Sequence, residues 1–207
     1  MTKTGKITPL DLLKHPIDTM ENFKFERKGS YIIGIIILAV YFVSDILKRT
    51  ATGFIFNVSK IENFNILHSF YSTVAIVLLF VLANWCFTTL TDGEGKIGDI
   101  FVVVTYSIVP AVAFNFFSVI ISNWIVTGEE FFINYTGMIV NLWVGVLLFY
   151  GLKVIHDYKF FKTFGVIILT VIGMGIILFL IALFMQMTQQ LFGFFNLLYS
   201  EFLLRLN

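Results

Sequence analysis

Five apolar runs, each close to the length a membrane crossing requires, decide what this chain can become. They cover Tyr31–Leu47, Leu67–Leu90, Ile100–Ile121, Phe131–Leu152 and Phe164–Met187. About 20 predominantly apolar residues cross a ~30 Å hydrocarbon core as a helix. Inside hydrocarbon each amide must be paired within its own element, which favours helices. A barrel would need alternating segments of ~10 residues, and these runs are continuous. Composition agrees: 58% of residues are hydrophobic, 25 of them Phe, and only 13% are charged. Soluble domains carry roughly 45–50% apolar and 25% charged residues. The predicted fold is an all-α membrane protein, a five-transmembrane-helix bundle whose solvent is the lipid bilayer. A net charge of +1 gives no field that would draw nucleic acid.

The first run starts near Tyr31, behind a stretch of mixed charge, and Ser44-Asp45 and Lys48-Arg49 follow it. A cleavable leader would place its apolar stretch earlier and follow it with small residues, so this run reads as a retained span. Cytoplasmic loops are enriched in Lys and Arg. With the N-terminus inside, Lys3, Lys6, Lys14, Lys24, Arg27, Lys28, Lys96, Lys153, Lys159 and Lys162 lie in the cytoplasm, and Lys48, Arg49, Lys60 and Arg205 lie outside. The bias therefore predicts a cytoplasmic N-terminus and an external C-terminus. Asn57-Val58-Ser59, a glycosylation sequon, would fall on the outer face.

The chain divides into an N-terminal segment 1–29, a five-span domain 30–188 and a C-terminal segment 189–207. In the first, Leu10, Leu12, Leu13, Ile17, Met20 and Phe23 surround Pro16. This pattern fits either a short interfacial amphipathic helix or a mobile basic lead-in. At the other end, Gln186, Gln189, Gln190 and Gly193 suggest a helix break, because an unbroken fifth helix would far exceed one bilayer. Leu191, Phe194, Phe195, Leu198 and Phe202 then give either an interfacial or a re-entrant helix.

Helix 3 carries the most organised polar pattern. Ser107, Ala111, Asn115, Ser118 and Ser122 recur at steps of three or four and share one helical face. Small residues permit close helix approach in lipid, and Asn bonds across the interface. Gly137, Asn141 and Gly145 on helix 4 form a candidate partner stripe. The two stripes are either a packing seam or a polar path, and the latter makes a transporter or permease subunit the alternative function. Pro110 predicts a bend near Tyr106, either a packing kink or a hinge, with Ser107 close enough to satisfy the freed carbonyl.

Between helices 2 and 3, Asp92-Gly93-Glu94-Gly95 leads to Asp99. The oxygen ligands of an EF-hand and the glycine spacing of a phosphate loop are both missing. The loop reads as a solvated turn, with Asp99 as helix N-cap, or as a docking loop. His15, His68 and His156 are scattered, which argues against a metal site, and His156-Asp157 reads as a solvated pair. Asp45 is expected to snorkel or to pair locally with Lys48. The single Cys86 allows no internal disulfide. Neither a paired acid and base nor a nucleophile motif appears, so no catalytic residue, cofactor or metal is assigned.

Trp85, Thr88-Thr89-Leu90, Asp92-Gly93-Glu94-Gly95, Asp99-Ile100-Phe101, Tyr106-Ser107 and Pro110 resemble the bacterial branch of the Yip family (Ypt/Rab-interacting proteins). Lys14-His15-Pro16, Lys28-Gly29-Ser30 and Gly151-Leu152-Lys153 extend the resemblance over nearly the whole chain. The acidic-glycine element typical of eukaryotic members is not evident in the first-span region. The resemblance implies five spans and a non-enzymatic membrane adaptor or assembly subunit. Its partners would be other membrane proteins, a transporter complex or further copies of itself, and it supplies no catalytic residues.

Overall fold

The computed structural model describes residues 30–51, 65–124 and 130–206. The expected N-terminal amphipathic segment and Asn57 lie outside these residues. Five helices are long and apolar enough to cross a membrane, and no strand occurs among the described residues. They are α1 (Tyr31–Thr50), α2 (Ile66–Leu90), α3 (Ile97–Ser122), α4 (Glu130–His156) and α5 (Phe160–Leu206). Each extends beyond its apolar run, because a helix continues past the hydrocarbon until a cap or breaker stops it.

Local chemistry sets several ends and irregularities. The Asn65 side chain caps α2 by accepting from the Leu67 N–H at 2.9 Å. Residues Tyr71–Ala75 of α2 form a π-helical turn. Ser72 donates to the Ser69 carbonyl at 3.2 Å, Thr73 to the same carbonyl at 2.6 Å, and Arg49 reaches across from α1 to donate to Ser72 at 3.3 Å. At the start of α3, Asp99 is not the N-cap: Lys96 holds that place, and Asp99 sits three residues inside, accepting from the Lys96 N–H at 3.2 Å. The shift follows from the capping-box geometry, in which an acid in the first turn reaches back to the cap.

Pro110 has a sharper effect than a bend near Tyr106. The α3 ladder is interrupted at Ile108, leaving an inner half (Ile97–Ser107) and an outer half (Val109–Ser122) with Pro110 in its first turn, where proline is tolerated. Ser107 donates to the Val103 carbonyl at 2.7 Å rather than to the carbonyl freed by the proline.

The break expected between Gln186 and Gly193 is absent, and α5 runs unbroken for 47 residues, ~70 Å at 1.5 Å per residue. No separate C-terminal helix forms. Gln is a good helix former, and one interior Gly costs only about 1 kcal/mol relative to Ala. Thr188 and Ser200 turn their hydroxyls onto the Phe184 and Leu197 carbonyls, both at 2.8 Å, so nothing in this stretch terminates the ladder.

α3 is the central helix: 61% of its apolar 18-residue stretch is buried, against 28% or less of the corresponding stretch in the others. Its inner half supplies Ile100, Val102, Val103, Val104 and Tyr106 to the core, joined by Ile37 and Leu38 of α1, Val77 and Val81 of α2, and Leu147, Leu152 and Ile155 of α4. α5 packs on α2 and along the edge of α4. Gly34 lets α1 close on α3, since a Cβ there would lie 2.9 Å from Thr105 Oγ1 and 3.0 Å from the Phe101 ring. Between α2 and α5, buried Asn84 donates to buried Thr170 at 3.0 Å. Interhelical hydrogen bonds in bilayers average about 0.6 kcal/mol. Thr170→Val should therefore lower the unfolding free energy by roughly that amount in detergent denaturation, and a loss several times larger would mean that α2 and α5 depend on this one bond.

Candidate functional site

At one end of the bundle two loops distant in sequence are locked together. Both turn on an aspartate with left-handed backbone, Asp92 and Asp157, each with φ 55°. Asp tolerates that conformation better than most residues. The Gly93 N–H donates to the Thr88 carbonyl at 2.8 Å. From the other loop, the Tyr158 hydroxyl donates to the Thr91 carbonyl at 3.1 Å and lies 2.9 Å from Thr91 Oγ1. The Gly95 N–H donates to His156 Nδ1 at 3.2 Å, a role that requires this nitrogen to be unprotonated.

The His156 and Tyr158 rings stack at 5.3 Å, and Lys162 Nζ sits 4.2 Å above the Tyr158 ring. Gly93 is wedged between them: a Cβ there would lie 2.6 Å from the Tyr158 hydroxyl, 2.7 Å from His156 Nδ1 and 2.9 Å from Thr88 Cβ. Hence the glycines of the acidic loop make room for an imidazole. His156 is not half of a solvated pair, because it is 2% exposed; only Asp157 faces outward. Asp92, Glu94 and Lys96 project from one loop, Asp157 and Lys159 from the other. Asp99 is half-buried in the first turn of α3.

The helix 3 stripe also forms, against a different neighbour from the one expected. Ser107, Asn115, Ser118 and Ser122 are buried and Ala111 is half-buried. Asn115 donates to Ser44 of α1 at 3.2 Å, and Ser44 donates onward to the Tyr41 carbonyl at 2.8 Å. Ser118 and Ser122 each donate at 2.9 Å to carbonyls of their own helix, Asn115 and Val119. The α4 stripe is not brought onto this face. Gly137 is half-buried against the Phe114 ring, whereas Asn141 and Gly145 are exposed, with open space beside Gly145. Asn115, Ser118 and Asn141 therefore do not line one space. Asp45 pairs with Arg49 at 2.7 Å, because i,i+4 spacing brings those two together along the helix.

The partners His156, Tyr158, Ser44 and the Asn84–Thr170 pair were not legible as a site. The one available signal was the presence of polar residues inside apolar spans. Among the described residues no group of three or more His, Cys, Asp or Glu could hold a metal ion.

The loop, the Tyr106–Pro110 element, the first four spans and most of the fifth lie within residues 10–197, the stretch matched by the family model of the Yip1 domain. The chain belongs to the Yip1 domain family. This is a family of non-enzymatic membrane proteins. Searches of curated proteins and of solved structures gave no significant match. In this Yip1 domain, the acidic-glycine loop and the end of α4 form one folded unit, and Tyr106 and Ser107 sit at the centre of the bundle just ahead of the Ile108 break.

Proposed function

We propose that this Yip1 domain protein is a non-enzymatic membrane adaptor or assembly subunit, which presents the joined loops on the cytoplasmic side to other membrane or peripheral proteins. The observation that supports this reading is the lock itself. Bonds from Gly95 to His156 and from Tyr158 to Thr91 hold two exposed, charged loops in one arrangement. A preorganised surface loses little conformational entropy on docking. The side chains it displays, Asp92, Glu94, Lys96, Asp157 and Lys159, carry both signs, which suits a specific partner better than a bulk anionic surface. The Lys and Arg bias of the sequence supports a cytoplasmic location.

The experiment is extraction in mild detergent followed by quantification of whatever elutes with the chain. A stoichiometric membrane or peripheral protein is expected, and its yield should fall at least tenfold, equivalent to about 1.4 kcal/mol, in an Asp92→Lys, Glu94→Lys variant that still inserts and folds. A lone chain, or a partner retained in full by that variant, would overturn the reading.

A further inference from the structure

At the opposite end of the bundle a groove of about 500 Å³ opens where the end of α1, the outer half of α3 and the start of α4 meet. Lys48, Phe114, Asn134, Met138, Asn141 and Leu142 line it. Its polar groups are arranged by depth. Lys48 is two residues from the end of α1 and Asn134 four from the start of α4, so both lie within about one turn of the helix ends. Asn141 is two turns deeper on the same face as Asn134, ~10 Å along the axis. Apolar walls from Phe114, Met138 and Leu142 run alongside. Among the described residues that line the groove, Lys48 carries the one charge, a cation 5.5 Å from the Phe114 ring centre.

Asn134 and Asn141 are both exposed and donate no hydrogen bond to another described residue. Asn141, two turns deeper than Asn134, faces hydrocarbon, where an amide without a partner is costly, so the groove's natural occupant supplies oxygen acceptors down to that depth and an apolar tail along its floor.

We infer that this groove binds an anionic phospholipid, with the phosphate against Lys48 and Asn134, the glycerol-ester region toward Asn141 and one acyl chain along Phe114, Met138 and Leu142. Charge complementarity selects an anionic over a zwitterionic headgroup, since a basic side chain near the membrane surface attracts net negative lipid. The depth order of cation, amide and apolar wall is that of a phospholipid entering from the bilayer. A soluble phosphate would use only the mouth of the groove.

The test is native mass spectrometry of the full chain in mild detergent with equimolar dioleoyl phosphatidylglycerol and dioleoyl phosphatidylcholine. The wild type should retain phosphatidylglycerol at least fivefold better, and Lys48→Gln should abolish that preference while Lys48→Arg keeps it. Asn141→Leu should lower retention of both lipids, and glycerol phosphate should not displace the bound lipid. If Lys48→Gln fails to fold, Asn134→Leu, altering an exposed side chain, should likewise reduce phosphatidylglycerol retention. Equal retention of both lipids by the wild type would overturn the inference, as would full preference surviving both Lys48→Gln and Asn134→Leu. So would an Asn141→Cys variant that forms an intermolecular disulfide and excludes lipid, since the groove would then be filled by a second copy.

Discussion

Tyr106→Ala is expected to lower the stability of the folded bundle by about 3 kcal/mol, the low end of the range for aromatic truncation. Among the described residues Tyr106 is the largest side chain with no solvent exposure, packed at the centre of the inner half of α3. Its hydroxyl pairs with the backbone of Ser30, at the start of α1. In a bilayer the transfer of apolar surface out of water contributes little to helix association, because the competing environment is itself apolar. What truncation removes is contact density around a cavity that its neighbours cannot refill. Tyr106→Phe keeps the ring and loses only the hydroxyl, so it should cost about 1 kcal/mol. Unfolding in graded denaturing detergent, followed by helical circular dichroism, separates the two. Equal losses in Ala and Phe variants would mean that the hydroxyl, not the packing, anchors α1 to α3.

The second large effect is expected at Gly93. A valine there must displace the Tyr158 hydroxyl, His156 Nδ1 and Thr88 Cβ, all within 3.0 Å of where its Cβ would sit. Overpacking of this kind costs typically 1–3 kcal/mol, and the readiest relief is to part the loops and lose the Gly95–His156 and Tyr158–Thr91 bonds. The change should be local, because the helices hold one another through the separate core around α3. Amide hydrogen exchange across residues 91–98 should accelerate roughly thirtyfold for about 2 kcal/mol of lost local stability, with the amides of the α3 core unchanged. Unaltered protection in that stretch would show that the loops are held apart from each other's contacts. Faster exchange throughout would show that the lock supports the whole bundle.

Much of the architecture was legible because lipid imposes a simple rule: run length and continuity announce a span, and all five runs correspond to helices. The helix 3 stripe was legible for a related reason, since steps of three and four fix a face. Periodicity names the face but not the neighbour. Ser44, the residue that meets Asn115, is a lone serine in α1 with no pattern around it, whereas Gly137, Asn141 and Gly145 formed a conspicuous stripe that packs mostly on nothing. His156 was misread because its local setting, a His-Asp pair beside lysines, is that of a wet loop. Its burial is caused by glycines some sixty residues upstream. The C-terminal break was over-read from Gln and Gly, which weaken a helix less than a proline or a strong cap does.

The π-helical turn of α2 has a consequence for register. The buried positions Ser69, Thr73, Val77 and Val81 stand four residues apart. On a straight α-helix each such step overshoots a full turn by ~40°, so three steps would swing the last position ~120° away from the first. Tyr71–Ala75 unwinds that drift locally, and the four stay aligned along one side. Without the extra residue, everything downstream would rotate by ~100°, and Asn84 would leave Thr170 for lipid. The irregular turn near one membrane face thus sets the angular alignment of a polar contact three turns farther along the same rod.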